Sequence, residues 1–278
     1  MAKYDLDGLV ILITGSTGGL GSALATAFAA KGAKLALLDI NLEAADKQAT
    51  SLGGYTIAKA WQADVCSMES LQNAINSAAV HFGRIDVVIA NAGITCFEPI
   101  ESASPERFDR VIDINLNGVW RTFKAGLPYV QKQQGYLLAI SSLAAFFHSP
   151  LQSSYCASKA GVWALSNSIR MELKHLNVGV GSVHPTFFHT PLMDQTFDDP
   201  AGLKLWGGNQ TGLWKMVALE EVVNAIVDAV ENRREFVVVP KKNGFVARTP
   251  GLFRGFIERV GFKNEDVIEA IRLAALKK

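Results

Sequence analysis

Tyr155-Cys156-Ala157-Ser158-Lys159 sets a phenol and an ammonium four residues apart, with Ser141-Ser142 a short way upstream. In a helix that begins near Ser154, Tyr155 and Lys159 project from one face. A phenol with its ordinary pKa of about 10 is a poor base at neutral pH. A neighbouring ammonium stabilises the phenolate and brings it into range. Ser142, at the end of a strand, can hydrogen-bond a substrate oxygen as charge develops there. The three groups together suit proton transfer at an alcohol or carbonyl oxygen. Such a Tyr/Lys pair also occurs by chance on helix surfaces, so its meaning depends on what positions it.

Short apolar runs alternate with longer amphipathic segments. The runs are Leu9–Thr14, Lys34–Asp39, Thr56–Trp61, Ile85–Ala90, Tyr136–Ser141, Val178–His184 and Phe236–Val239. Near-continuous apolar runs are typical of parallel strands buried on both faces. Helical patterns cover Gly19–Lys31, Leu42–Leu52, Met68–Phe82, Glu106–Gln131, Ser154–Leu176 and Glu220–Asn232. The alternation predicts an α/β fold with a doubly wound parallel sheet. Residues 1–240 read as one such domain, including a substrate loop over 184–219 rich in Pro, Gly, Phe and Trp, and expected to be a mobile lid with short helices. Residues 241–278 read as a basic amphipathic C-terminal extension.

The first strand runs into Thr14-Gly15-Ser16-Thr17-Gly18-Gly19-Leu20-Gly21. Glycines let the backbone turn tightly against a pyrophosphate, and the next helix offers free N–H groups and its positive dipole end. The position between strand and helix gives the motif its weight. The second strand ends at Asp39, whose carboxylate can accept hydrogen bonds from both ribose hydroxyls of NAD and would repel the extra phosphate of NADP. No Arg or Lys lies within Ser16–Leu20 or just after Asp39, so the expected cofactor is NAD.

Taken together, these residues resemble the short-chain dehydrogenase/reductase family in its branch with a core of about 250 residues. The resemblance spans about Leu6 to Val239. Thr14, Gly15, Gly19 and Gly21 meet the TGxxxGxG pattern, and Asn91, Ala92 and Gly93 the Asn-Ala-Gly motif. Asn115 falls on the active-site Asn, Ser142 on the Ser, and Tyr155 and Lys159 on the YxxxK motif. Asp64, followed by Val65, matches the acid that holds the adenine amine.

The resemblance implies that Tyr155 is the general acid/base and that Lys159 lowers its pKa and holds the nicotinamide ribose. It implies that Ser142 polarises the substrate oxygen, and that Asn115 holds a water linking Lys159 to solvent. Gly15, Thr17, Gly19, Leu20, Gly21, Asp39, Asp64, Val65, Asn91, Ala92, Gly93, Tyr155, Lys159, Pro185 and Thr190 form the expected cofactor site, with Thr190 on the carboxamide. It further implies a Rossmann sheet of about seven strands and a homotetramer or homodimer. One departure stands out: Thr186 follows Pro185 where the family commonly has Gly, which predicts a different loop path.

Other features constrain the reading further. Phe146, Phe147, His148, Leu151 and Gln152, with Phe187, Phe188, Met193 and Trp206, form a candidate apolar pocket for a lipophilic alcohol or ketone. Single histidines (His148, His175, His184, His189) read as solvated or structurally satisfied, and Cys156 as a small core residue. No His/Cys/Asp cluster has metal spacing. Hydrophobic residues make up 49% of the 278 and charged ones 19%, which excludes a disordered chain. A net charge of +1 gives no global pull toward nucleic acid. Three cysteines without a CxxC pair, and an N-terminus lacking a signal core, point to a cytoplasmic protein.

From Pro240 to Lys263 the extension carries Lys241, Lys242, Arg248, Arg254, Arg259 and Lys263 against one acid, Glu258. Leu252, Phe253, Phe256, Ile257 and Val260 repeat at helical spacing. Packing on its own domain or on a neighbouring subunit is the favoured expectation, with contact to an anionic membrane the minority one. A last helix from Glu265 to Leu276 is expected, N-capped by Asn264. Two other functions stand beside an active NAD(H)-dependent oxidoreductase: a catalytically silent NAD(H)-binding sensor or scaffold, and a membrane-docked module acting through the extension. A sugar-nucleotide epimerase is disfavoured by the glycine spacing and the short substrate segment.

Overall fold

The computed structural model describes residues 3–207 and 215–276, with the side chains of Leu192, Gln195 and Phe253 outside that set. Seven parallel strands form one sheet: β1 (Val10–Thr14), β2 (Lys34–Asp39), β3 (Ala58–Gln62), β4 (Val87–Ala90), β5 (Tyr136–Ile140), β6 (Gly179–Pro185) and β7 (Phe236–Val239). Their order is β3-β2-β1-β4-β5-β6-β7. Chain direction across the sheet therefore reverses between β1 and β4. At such a switch point the loops leaving neighbouring strands diverge and open a crevice at the carboxyl ends.

Alternating side chains of each strand feed two cores. On one face Ile11, Ile13, Leu35 and Leu37 pack with Leu24 and Phe28 of α1 (Gly19–Ala29) and with Val222 and Ile226 of α9 (Leu219–Asn232). On the other, Leu12, Leu38, Val88 and Leu137 meet Leu71 and Ile75 of α3 (Met68–Phe82), Phe123 of α5 (Gly118–Lys132) and Val162 of α6 (Ser153–Leu173). Nearly all these side chains are fully buried, at about 1.5–3 kcal/mol each, which fixes the strand ends that carry the site. Between β2 and β3, α2 (Leu42–Ser51) is capped by Asn41, whose side chain accepts from Ala44 N–H.

The single helix expected over Glu106–Gln131 is divided. It consists of α4 (Pro105–Ile112), one π turn (Asp113–Asn117) and α5. The extra residue in the wider turn rotates Asn115 inward while both flanking helices keep their apolar faces on the protein. Apolar periodicity runs through such an insertion, so the sequence pattern does not reveal it.

The lid expected over 184–219 contains α7 (Pro191–Asp198) and α8 (Pro200–Trp206), while residues 208–214 lie outside the described set. Each short helix begins with Pro at its first turn. Thr190 caps α7 and Asp199 caps α8. The lid's two ends are stitched together where Val217 N–H donates to Phe187 O at 2.9 Å.

After β7 the chain forms α10 (Gly244–Arg248), α11 (Pro250–Gly261) and α12 (Asn264–Ala275). Helix α12 lies on α8: Ala270 and Ala274 are buried against Ala201, Leu205 and Trp206, and Lys204 pairs with Asp266 at 2.8 Å. Phe262 meets Trp206 edge-on with ring centroids 5.3 Å apart. Asn264 is not the N-cap. Lys263 takes that extended position without a side-chain cap, so the helix begins one residue earlier than expected. The packing expected of α11 is met by Ile257, which is buried, whereas Leu252, Phe256 and Val260 face outward. No helix among the described residues is long and apolar enough to cross a membrane.

If small side chains let α12 seat on the lid, Ala270→Glu should lower unfolding stability by at least about 2 kcal/mol in urea denaturation, through overpacking and burial of a carboxylate. Asp266→Asn, at a solvent-screened ion pair, should leave the midpoint close to that of the wild type. Equal midpoints for the two variants would refute the clamp.

Candidate active site

A cavity of about 710 Å³ opens at the carboxyl ends of the strands, and nearly every expected site residue borders it. Gly15, Thr17, Gly19, Leu20 and Gly21 form its floor. Gly15 has φ +62°, and a Cβ there would stand 2.9 Å from Ala92 Cα; one on Gly21 would stand 2.2 Å from Gly15 O. The loop therefore needs glycine at both positions to lie against β4 and fold back on itself. Gly18 is the N-cap of α1 and no side chain caps it, so the first-turn N–H groups remain available to an anion. Asn91 locks the loop to the sheet: its amide donates to Thr14 O at 3.0 Å and Gly15 O at 2.9 Å, and its backbone N–H donates to Thr14 Oγ1.

Asp39 closes one end of the cavity. Its Oδ2 accepts from Thr17 N–H at 3.0 Å and Thr17 Oγ1 at 2.8 Å, and Oδ1 accepts from Asn41 N–H at 3.0 Å. A carboxylate offers about four lone-pair positions, so one remains on Oδ1 for a ligand hydroxyl. Ala63, Asp64, Val65 and Ile114 continue this end, and Asp64 Oδ1 accepts from Cys66 N–H at 2.8 Å. Arg110, on α4, also borders it. It went unnoticed in the sequence because it is distant from the motifs there. The uncapped helix end, the glycine cradle and this acidic end fit a dinucleotide.

Ser142, Tyr155 and Lys159 share the same cavity. Lys159 is buried, and its Nζ donates to Ile140 O at 3.0 Å and lies 5.6 Å from the Tyr155 ring centroid. Burial alone lowers its pKa to about 8, so the ammonium persists at neutral pH. Tyr155 does not show the lowering expected from Lys159. Loss of water around the phenol pushes it up to about 12, against a hydrogen bond to Ser142 that pulls downward. Ser141 fastens the helix to the strand, its Oγ donating to Lys159 O at 2.9 Å.

Asn115 sits one layer behind. Its Oδ1 accepts from Ile94 N–H at 2.8 Å, and its Nδ2 donates to Ile94 O at 2.9 Å and Ser158 Oγ at 3.1 Å. The side-chain amide thus braces the strand-to-loop turn and α6. A Cβ on Gly93 would stand 3.3 Å from Asn115 Oδ1 and 3.5 Å from Lys159 Nζ, so Gly93 is where these two approach the cavity.

The lid side is apolar: Leu143, Phe147, Phe187, Phe188, Met193 and Trp206 border it. Phe146, His148 and Leu151, expected here, do not. Phe146 packs into the protein against Trp163, His184 and Phe236; Leu151 is buried in the lid cluster; His148 is exposed. Pro185 and Thr190 also border the cavity, with Thr190 seated over Gly19. Thr186 continues the line of β6. Its N–H donates to Val239 O at 2.8 Å, extending the pairing of β6 by one residue, and its φ is not positive, so a β-branched residue fits.

His184 is fully buried between Ser182 Oγ at 2.9 Å and Ser142 O at 3.3 Å. Burial lowers its pKa to about 3, so the ring is neutral and supports the backbone of Ser142. Cys156 is a buried small residue, as expected.

The short chain dehydrogenase family matches residues 9–201. Over 201 residues the chain is 35% identical to D-threitol dehydrogenase of Mycolicibacterium smegmatis, covering 72% of this chain and 77% of that protein. Over 194 residues it is 34% identical to 3-oxoacyl-[acyl-carrier-protein] reductase of Thermotoga maritima, covering 68% and 78%. A short chain dehydrogenase/reductase from Burkholderia phymatum, solved in complex with NAD, superposes with a TM-score of 0.79 at 22% identity, covering 90% of this chain and 97% of that one. The chain belongs to the short-chain dehydrogenase/reductase family and is an NAD(P)-dependent oxidoreductase.

Burial of His184 couples folding to pH. Between pH 3 and 6.5 the unfolded chain binds a proton at this residue that the folded protein refuses, so stability falls as pH falls through that window. His184→Asn should remove up to about 1.4 kcal/mol per pH unit from that slope. Parallel acid-side stability curves for the two proteins would contradict it.

Proposed function

We propose that the protein is a NAD(H)-dependent oxidoreductase that interconverts a secondary alcohol and a carbonyl on a lipophilic substrate. The observation that carries this reading is the placement of Ser142, Tyr155 and Lys159 on one cavity with a glycine-lined floor and an aromatic lid wall. Polar groups on the substrate side are largely engaged with one another: Gln152 donates to Thr95 Oγ1 at 3.1 Å and accepts from Ser149 Oγ at 2.5 Å. That leaves the aromatic and aliphatic surface to recognise the ligand.

Gly15, Thr17, Gly19, Leu20 and Gly21 would hold the pyrophosphate; Asp39 the adenosine ribose; Asp64 and Val65 the adenine. Asn91, Ala92, Gly93, Tyr155, Lys159, Pro185 and Thr190 would hold the nicotinamide half. When bound, the nicotinamide supplies or accepts the hydride. In the reducing direction, the Ser142 and Tyr155 hydroxyls donate to the carbonyl oxygen, and the Tyr155 proton passes to that oxygen as it gains charge. Lys159 stabilises the phenolate left behind, and Asn115 holds the turn through which a water relay would reach it. In the oxidising direction the same proton returns to Tyr155.

Three free cysteines support a cytoplasmic setting. Trp120, Phe108 and Met171, exposed on the outer helices, support a homotetramer or homodimer.

Tyr155→Phe should reduce turnover of secondary alcohols or ketones by about 10²–10⁴-fold while the variant still binds NADH. NADH binding by the wild type without turnover across such a panel would instead indicate a silent sensor. NADH should bind at least about tenfold more tightly than NADPH, and Asp39→Ser should erase most of that difference. Tighter NADPH binding by the wild type would overturn the role given to Asp39.

A further inference from the structure

Helix α11 is amphipathic in an unusual direction. Ile257 faces inward and is buried, but Leu252, Phe256 and Val260, four residues apart, form a continuous stripe exposed at 74%, 66% and 55%. Phe245 on the neighbouring α10 is also exposed. A folded domain gains nothing by aligning large apolar side chains in water, so such a stripe marks a contact.

Charge identifies the contact. Lys241, Lys242, Arg248, Arg254, Arg259 and Lys263 surround the stripe in sequence against the single acid Glu258, while the rest of the chain carries more acids than bases. Lys241, Lys242, Arg259 and Lys263 are exposed, and Arg259 lies beside the stripe on the helical wheel. Glu258 is tied to Arg254 at 2.8 Å. Two of the three acids of α12 are likewise engaged, Asp266 by Lys204 and Glu269 by Arg272, which leaves Glu265 beside the segment. The segment thus presents apolar side chains within a field of cations.

A second copy of this chain is a poor occupant, because a two-fold contact would set these cations against themselves. An anionic lipid surface answers both features: acyl chains take the apolar stripe and headgroups take the cations. A 12-residue helix spans about 18 Å, too short to cross a bilayer, so it would lie in the interface.

We propose that α11, with its basic flanks, is a docking surface for an anionic lipid bilayer, independent of the catalytic reading. Because α11 leads through Phe262 into the clamp on the lid, docking would bring the lid side of the molecule toward the bilayer.

The test is co-sedimentation of the full-length protein with vesicles of phosphatidylcholine containing phosphatidylglycerol, beside vesicles of phosphatidylcholine alone. NADH binding in solution verifies that each variant is folded. The wild type is expected to pellet with the anionic vesicles, and to stay in the supernatant with neutral vesicles or at about 0.5 M salt. Leu252→Ser/Phe256→Ser should weaken partition at least about tenfold, and Arg259→Ser/Lys263→Ser should weaken it measurably, both with NADH binding intact. The proposal fails if the wild type stays in the supernatant with anionic vesicles. Equal pelleting of wild type and Leu252→Ser/Phe256→Ser also overturns it, as does equal pelleting of the wild type with neutral vesicles. If lipid-free wild type sediments as a larger assembly than Leu252→Ser/Phe256→Ser, the stripe belongs to a protein contact and the lipid assignment is wrong.

Discussion

An ammonium buried under the end of β5 is the constraint around which this site is arranged. Lys159 loses its water and receives the Ile140 carbonyl in return, and its lowered pKa reflects that exchange. Such a charge is tolerable only if the surrounding backbone is fixed. The fixing is visible: Ser141 ties the Lys159 carbonyl to the strand, Asn115 ties α6 to Ile94, and Asn91 ties the β4 end to the glycine loop. Each bond joins a different pair of elements, and together they hold the carboxyl ends of β1, β4 and β5 in one register.

The same ends need room, and glycine provides it. Gly15 and Gly21 are confined by backbone atoms, and Gly93 by the side chains of Asn115 and Lys159. The switch point between β1 and β4 opens the crevice, but the absent Cβ atoms allow a ligand to approach its walls. On the far side the lid has the opposite character. It is filled with aromatic side chains and clamped from outside by α12, so the C-terminal extension helps to shape a cavity whose chemistry lies in the main sheet.

Much of this was legible in the sequence, for a physical reason. Buried parallel strands must be apolar throughout, so the seven runs were visible, with ends shifted by no more than two residues. The glycine loop, Asp39 and the Tyr155/Lys159 spacing were readable because each lies within one local segment. What stayed hidden depends on distant contacts. Phe146 looks like a pocket residue until His184 and Phe236 are found around it. Thr186 looks like a disruption until its N–H is seen to meet Val239. The π turn at Asn115 leaves no trace in apolar periodicity, and the outward stripe of α11 cannot be told from an inward one by spacing alone.

The direction of the Tyr155 shift bears on how the site divides its labour. Burial raises the phenol and lowers the ammonium, and both changes disfavour the charged form. At neutral pH the pair therefore holds a protonated Tyr155 beside a still protonated Lys159, the state on which the proposed carbonyl reduction would draw. The proposed oxidation would need the phenolate, and Lys159 at this distance does not overcome desolvation by itself. A further positive charge entering the cavity would act in the same sense as Lys159, favouring the phenolate. An oxidised nicotinamide carries such a charge and its reduced form does not. On the proposed roles, an oxidised nicotinamide would favour the phenolate where the ligand-free site favours the phenol.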